Sequence, residues 1–168
     1  MRNVLLPLSA FLLACACLWE AGFRVNVTAS MPAGIYRVAS GTPERGDYVS
    51  FCPEKEAAEL ALERGYLQPG YCPSGAHPLL KRLVGLEGDA VRVASEGIYV
   101  NGALQPMSGV LPEDKNGLPL RGAELGERVP PGRALLLADH RGSYDSRYFG
   151  FVPSEGLQRV RAVSIWRQ

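Results

Sequence analysis

Short runs rich in β-branched and aromatic residues, cut by glycine and proline and in places alternating apolar with polar at a period of two, follow one another along this chain. Gly34-Ile-Tyr-Arg-Val38 reads as a strand, and a turn over 42–46 leads to a second strand over 47–51. A helix-like stretch from Glu54 to Arg64 then interrupts the alternation and stops at Gly65. Strands resume over 79–84 and 90–94, with a turn at Ser95-Glu-Gly97. Ile98-Tyr-Val100 runs into Asn101-Gly102, the dipeptide that suits a two-residue hairpin. Residues 105–132, rich in proline and glycine, form an irregular excursion. The apolar run Arg133 to Ala138 and the alternating run Leu157 to Trp166 supply the last strands. Nothing repeats internally. The expected fold is mostly β, a single β-sheet domain with one short helical insertion.

Val4 to Trp19 departs from that pattern. Its sixteen residues are apolar apart from Pro7 and Ser9 and follow Met1-Arg2-Asn3. A positive start and an apolar middle mark an export signal. The run is slightly short for a membrane span, although Ala21 to Phe23 extend it beyond Glu20. A retained signal-anchor, a cleaved signal peptide and a lipoprotein signal ending at Leu12-Leu-Ala-Cys15 compete. No small-x-small site follows before Arg24, and Leu13 is a poor lipobox residue, so an anchor is expected. Residues 1–23 are then a transmembrane helix in the inner membrane, crossing it once. Residues 24–168 form a domain on the periplasmic side, with Arg2 left in the cytoplasm. Cys15 and Cys17 read as buried apolar side chains.

Charge narrows the field. The 18 basic and 17 acidic side chains are mixed along the chain, with no basic block, so nucleic-acid binding has no electrostatic footprint. Cys52 and Cys72 each precede a proline and bracket the helical insertion, residues 53–72. Their spacing fits neither a Cys-x-x-Cys zinc site nor a redox motif. In an oxidising compartment they read as a disulfide closing a loop of about 20 residues, worth roughly 3 kcal/mol in the chain-entropy model. Two free buried cysteines are the alternative.

Lys81 carries the chemical argument. It is one of three lysines against fifteen arginines and lies inside Pro78-Leu-Leu-Lys-Arg-Leu-Val84. Alternation puts it on the face of Leu79 and Leu83, where an ammonium loses hydration and its pKa falls. A neutral amine can take a proton from a serine hydroxyl, which an arginine cannot do. The plainer alternative is a lysine that reaches from an edge strand to water. Ser30, at the end of an extended run that turns at Met31-Pro32, is the hydroxyl in question.

Four ordered blocks carry a resemblance: Ser30-Met-Pro32, Arg45-Gly-Asp-Tyr-Val49, Lys81-Arg-Leu-Val-Gly-Leu-Glu-Gly-Asp89 and Asp145-Ser-Arg-Tyr-Phe-Gly150. In this order they resemble the type I signal peptidases, membrane-anchored serine proteases with a Ser/Lys dyad. Asn26-Val-Thr-Ala-Ser-Met-Pro-Ala-Gly-Ile-Tyr-Arg37 and the Phe51-to-Pro73 insertion look most like the TraF-type peptidases of conjugative transfer. Ala138-Asp-His-Arg141 departs from that pattern towards the housekeeping enzymes. The resemblance implies Ser30 as nucleophile, Lys81 as general base, Thr28 as an oxyanion donor beside the Ser30 amide, and Ser143 as the group that aims the lysine. Asp145 and Arg147 resemble a supporting ion pair. An extended substrate is expected between the segments leading into Ser30 and Lys81, touching Val27, Ala29, Met31, Pro32, Leu79 and Leu80. The implied partner is an exported precursor, pilin-like or bearing a signal peptide, with no metal or organic cofactor. A general housekeeping signal peptidase, or a non-catalytic component of a secretion or pilus apparatus, are the alternatives. A Ser30/His140/Asp139 triad is disfavoured, because adjacent Asp139 and His140 point to opposite faces of a strand.

Overall fold

The computed structural model describes the backbone of residues 2–166 and the side chains of residues 7–166. Its strands are β1 (Phe23–Asn26), β2 (Gly34–Val38), β3 (Tyr48–Phe51), β4 (Leu79–Gly85), β5 (Val91–Ala94), β6 (Gly97–Val100), β7 (Ala103–Leu104), β8 (Arg133–Leu137), β9 (Val152–Pro153) and β10 (Gln158–Ile165). Helices α1 (Arg2–Glu20), α2 (Lys55–Glu63) and α3 (Ser146–Phe149) complete the set. Seven strands form one antiparallel sheet in the order β1-β2-β10-β3-β4-β8-β9, and β5-β6-β7 form a second. The mostly β architecture with a helical insertion is thus present. The short elements β1, β7, β9 and α3 lack enough alternation to be read from sequence.

The core lies on both faces of β4 and β8, which is why the β8 run is continuously apolar rather than alternating. On one face Val84, Leu135 and Leu137 pack against Val91, Ile98, Val100 and Val129. On the other, Leu83, Ala134 and Leu136 pack against Val49, Phe51 and Val152. Each fully buried Leu or Ile here contributes roughly 1.5–3 kcal/mol. Asn101 and Gly102 both take positive φ, 50° and 81°, as a primed hairpin turn between β6 and β7 requires. Gly34 serves a different need: a Cβ there would lie 2.2 Å from the Ser164 carbonyl oxygen, so only glycine lets β10 cross β2 at its bulge.

The insertion has a small core of its own. Ala58 and Ala61 of α2 pack with Leu67 and Ala76, while Leu79 and Tyr144 join it to the sheet and to the 140–149 segment. The expected Cys52–Cys72 disulfide closes it, with Cα atoms 5.5 Å apart.

Helix α1 extends away from this body. Its last turn rests against β1, and the Trp19 ring meets Tyr71 edge-on at 5.4 Å and carries the Arg24 guanidinium at 3.7 Å. Leu8, Phe11, Leu12, Leu13 and Leu18 are exposed. Cys15 and Cys17, expected to be buried, are exposed as well, because among the described residues the main contact of this helix is that of its last turn with β1. Among the described residues no helix is long and apolar enough to cross a membrane.

Candidate active site

The site begins where β1 ends. Asn26 is buried, and its side chain holds the next six residues in a turn. Its Nδ2 donates to the carbonyls of Thr28 and Met31 at 3.0 Å and of Pro32 at 3.3 Å. Its Oδ1 accepts from the Thr28 amide at 3.2 Å and the Thr28 hydroxyl at 2.8 Å. Asparagine suits this place because one side chain offers both donors and an acceptor to local backbone. Thr28 Oγ1 also lies 2.7 Å from Ser30 Oγ. The single Thr28 proton is committed to Asn26 Oδ1, an atom that can only accept, so the Ser30 hydroxyl donates to Thr28. The turn is locked from the far side as well, since the Asp139 amide donates to the Ser30 carbonyl at 2.9 Å.

Lys81 sits in the middle of β4, opposite Val49 of β3, and is only 4% exposed. Its Nζ donates to Ser143 Oγ at 2.8 Å. Burial pushes its pKa down from 10.5 to about 8. The Asp145 carboxylate opposes that fall and the Arg147 guanidinium adds to it. At neutral pH an appreciable fraction of the amine is therefore unprotonated.

Ser143 is aimed by a buried polar hub. Asp145 and Arg147 form an ion pair at 2.8 Å, with both side chains inaccessible to solvent. Arg147 also donates to the carbonyls of Met107, Gly109, His140, Arg141 and Ser143, between 2.6 and 3.2 Å. Asp145 accepts from the Ala138 amide at 2.9 Å and caps α3 through the Arg147 amide. A buried ion pair adds little net stability, but a fully satisfied one fixes a single backbone arrangement. Here it fixes 138–145, the segment that carries Ser143.

Thr28, Ala29, Ser30, Lys81 and Ser143 line one cleft of about 500 Å³. The rest of the lining, the far wall, comes from Gly65, Tyr66 and Leu67 of the insertion, Leu111, Glu113, Asp114, Lys115 and Leu120 of the excursion, and His140, Gly142, Tyr144 and Tyr148. Sequence reasoning missed this wall and Asn26. Asn26 carries a signal, an Asn two residues before a Thr at a strand end, whereas the wall is assembled from segments up to about 80 positions apart and carries none.

The six expected substrate contacts sit differently in the structure. Of the six, Ala29 lines the cleft. Met31 is 1% exposed and packs with Tyr36 and Val160, anchoring the turn from below. Pro32 is half-buried, and its carbonyl is taken by Tyr36 Oη at 2.6 Å. Val27 is exposed outside the cleft lining. Leu79 and Leu80 turn their side chains into packing clusters. The Leu80 backbone is different. Leu83 N–H bonds Asp47, so ladder alternation turns the Leu80 N–H and carbonyl away from β3. On that side β8 pairs only from Arg82 onwards, and the chain beyond it is drawn off to Ser30. The Ser/His/Asp geometry does not form: Asp139 accepts from Arg82 and Tyr48, and His140 Nδ1 accepts from the Gly142 amide at 3.1 Å.

Residues 2–166 match the family model described as signal peptidase, peptidase S26. The plasmid transfer protein TraF of Escherichia coli is 39% identical over 161 residues, covering 94% of this chain and 90% of that protein. The conjugal transfer protein TraF of Agrobacterium fabrum (strain C58) is 40% identical over 139 residues, covering 81% and 78%. A signal peptidase I of Leptolyngbya laminosa is 31% identical over 128 residues, 74% of this chain and 53% of that protein.

Proposed function

The chain belongs to the signal peptidase family, peptidase S26, and on that premise we propose that it is a membrane-anchored serine endopeptidase that cuts exported precursors through a Ser30/Lys81 dyad. The observation that carries this reading is the buried Lys81, its pKa lowered to about 8 and its amine held by Ser143 in the cleft that Ser30 also lines. Neutral Lys81 takes the Ser30 proton, and Ser30 Oγ bonds to the scissile carbonyl carbon. For this the hydroxyl turns from Thr28 towards the lysine, a tightening that substrate binding brings about. The Ser30 amide and the Thr28 hydroxyl hold the oxyanion, Thr28 by rotating its proton away from Asn26. The carbon–nitrogen bond then breaks, and Lys81 returns its proton to the leaving amine. Water releases the acyl group, or a substrate amine does so with formation of a new peptide bond. Asp145 and Arg147 act through Ser143 as positioning residues.

The substrate strand pairs with the free edge of Leu80 on one side and the 27–29 segment on the other. This puts its alternate side chains towards Ser30 and Lys81. Likeness to two transfer proteins favours a conjugative pilin precursor, cut or joined end to end, over general preprotein processing. The exposed leucines of α1 support residues 1–23 as an anchor, with 24–168 as the catalytic domain on the periplasmic side. The test is cleavage of a membrane-tethered precursor carrying Ala at the first and third positions before the cut, compared with Leu or Phe at each. The Ala form is cut and the bulky forms are not. Equal cleavage of all forms contradicts the assigned pockets.

A further inference from the structure

The cleft is larger than two small side chains require. Two alanine methyl groups fill a minor part of about 500 Å³, a volume that fits a drug-sized ligand. The remainder is lined by residues other than the dyad, three tyrosines among them. The Tyr144 and Tyr148 rings stack 5.9 Å apart with 3° between their planes, and the Tyr66 ring lies 5.5 Å from Tyr144. All three hydroxyls are already engaged. Tyr66 Oη bonds Asp114, Tyr144 Oη donates to the Ala57 carbonyl of α2 at 3.1 Å, and Tyr148 Oη accepts from the Leu111 amide at 3.1 Å. What these rings offer the cleft is therefore apolar surface, which Leu67, Leu111 and Leu120 extend beside the charged Glu113, Asp114 and Lys115 of the same lining.

The same bonds join three segments into one unit. The Asp114 carboxylate also accepts from the amides of Asn116 and Leu118, which folds the excursion back on itself. Arg64 pins that fold to the insertion through the Pro119 carbonyl at 2.8 Å. The Cys52–Cys72 bond closes the insertion behind it. A wall built before the substrate arrives spends little entropy on ordering when it binds. Its continuity with Ser30 and Lys81 in one cleft makes the bound precursor strand its natural occupant.

We propose that this wall is a specificity subsite that takes one large apolar or aromatic side chain of the precursor, at a position other than the first and third before the cut. The inference rests on the peptidase reading given above. It is tested with peptides that keep Ala at those two positions and carry Gly, Phe or Glu at each remaining position in turn, cut by the full chain in detergent. At one position Phe raises kcat/KM tenfold or more over Gly, and Glu lowers it. Leu111→Ala with Leu120→Ala then loses at least ten times more activity on that Phe peptide than on its Gly counterpart. Tyr66→Phe keeps the ring and retains the Phe preference. Phe and Gly peptides cut alike at every position, or a double variant that weakens both equally, overturn the subsite while Ser30-dependent cutting leaves the peptidase reading intact. Failure of the full chain to cut any of these peptides in a Ser30-dependent way overturns both.

Discussion

The two walls of the cleft are built on different principles. The wall bearing Ser30 and Lys81 is held by buried polar groups: Asn26 under the turn, Ser143 on the lysine, and the Asp145–Arg147 pair behind Ser143. In such a network the loss of Asn26, Asp145 or Arg147 leaves a desolvated partner, whereas Lys81 is itself an ammonium that burial disfavours. The far wall is held by aromatic contacts, a disulfide and half-exposed hydrogen bonds, and it lines the cleft with tyrosine and leucine side chains beside Glu113, Asp114 and Lys115. Contacts of that kind allow one side chain to be exchanged for another. The lesson is a division of labour: the rigid polar wall does the chemistry and the aromatic wall is where specificity can vary.

The comparison breaks first, and by the largest factor, at the dyad. Ser30→Ala and Lys81→Arg each lower kcat/KM by about 1,000-fold or more, and the double variant is no worse than either alone, because the two groups act as a unit. Peptide turnover followed by mass spectrometry checks this, with unchanged circular dichroism to show folding. Thr28→Val on the same wall costs roughly 100-fold, mostly in kcat, the usual loss for one oxyanion donor.

On the other wall the effects on rate are smaller and change sign in stability. Cys52→Ser with Cys72→Ser raises KM several-fold and leaves kcat within about twofold. It also lowers Tm by several degrees, because the roughly 3 kcal/mol of loop closure is lost. Lys81→Met does the reverse. It removes activity yet raises Tm by about 2–4 °C, since the protein no longer desolvates an ammonium for which burial is costly. Calorimetry on the two variants reads opposite shifts if the walls differ as described.

How much of this was legible in the sequence follows the same division. Lys81 stood out because an ammonium in an apolar strand is costly enough to need a reason, and Ser30 because its turn ends an extended run. Strands β2 to β6 and β10 were readable from their short apolar runs between turns, β8 from its continuous apolar run, and the insertion by its prolines and cysteines. Met31 was misjudged as a substrate contact. Sequence adjacency to Ser30 says nothing about direction, and the turn that Asn26 imposes drives its side chain into the core beside Tyr36 and Val160. The aromatic wall was illegible, since Tyr66, Leu111 and Tyr148 meet only through long-range folding of irregular segments.

The most direct measurement of the central claim is the pH dependence of kcat/KM on a minimal Ala-x-Ala peptide, from about pH 6 to about pH 10. The active form of a lysine base is the neutral one, and burial brings its pKa down to about 8. The account therefore predicts a rate that climbs about tenfold per pH unit on the acid side and levels off above about pH 8. A profile that is flat across this range, or one that turns near the ordinary histidine value of about 6.5, contradicts Lys81 as the base.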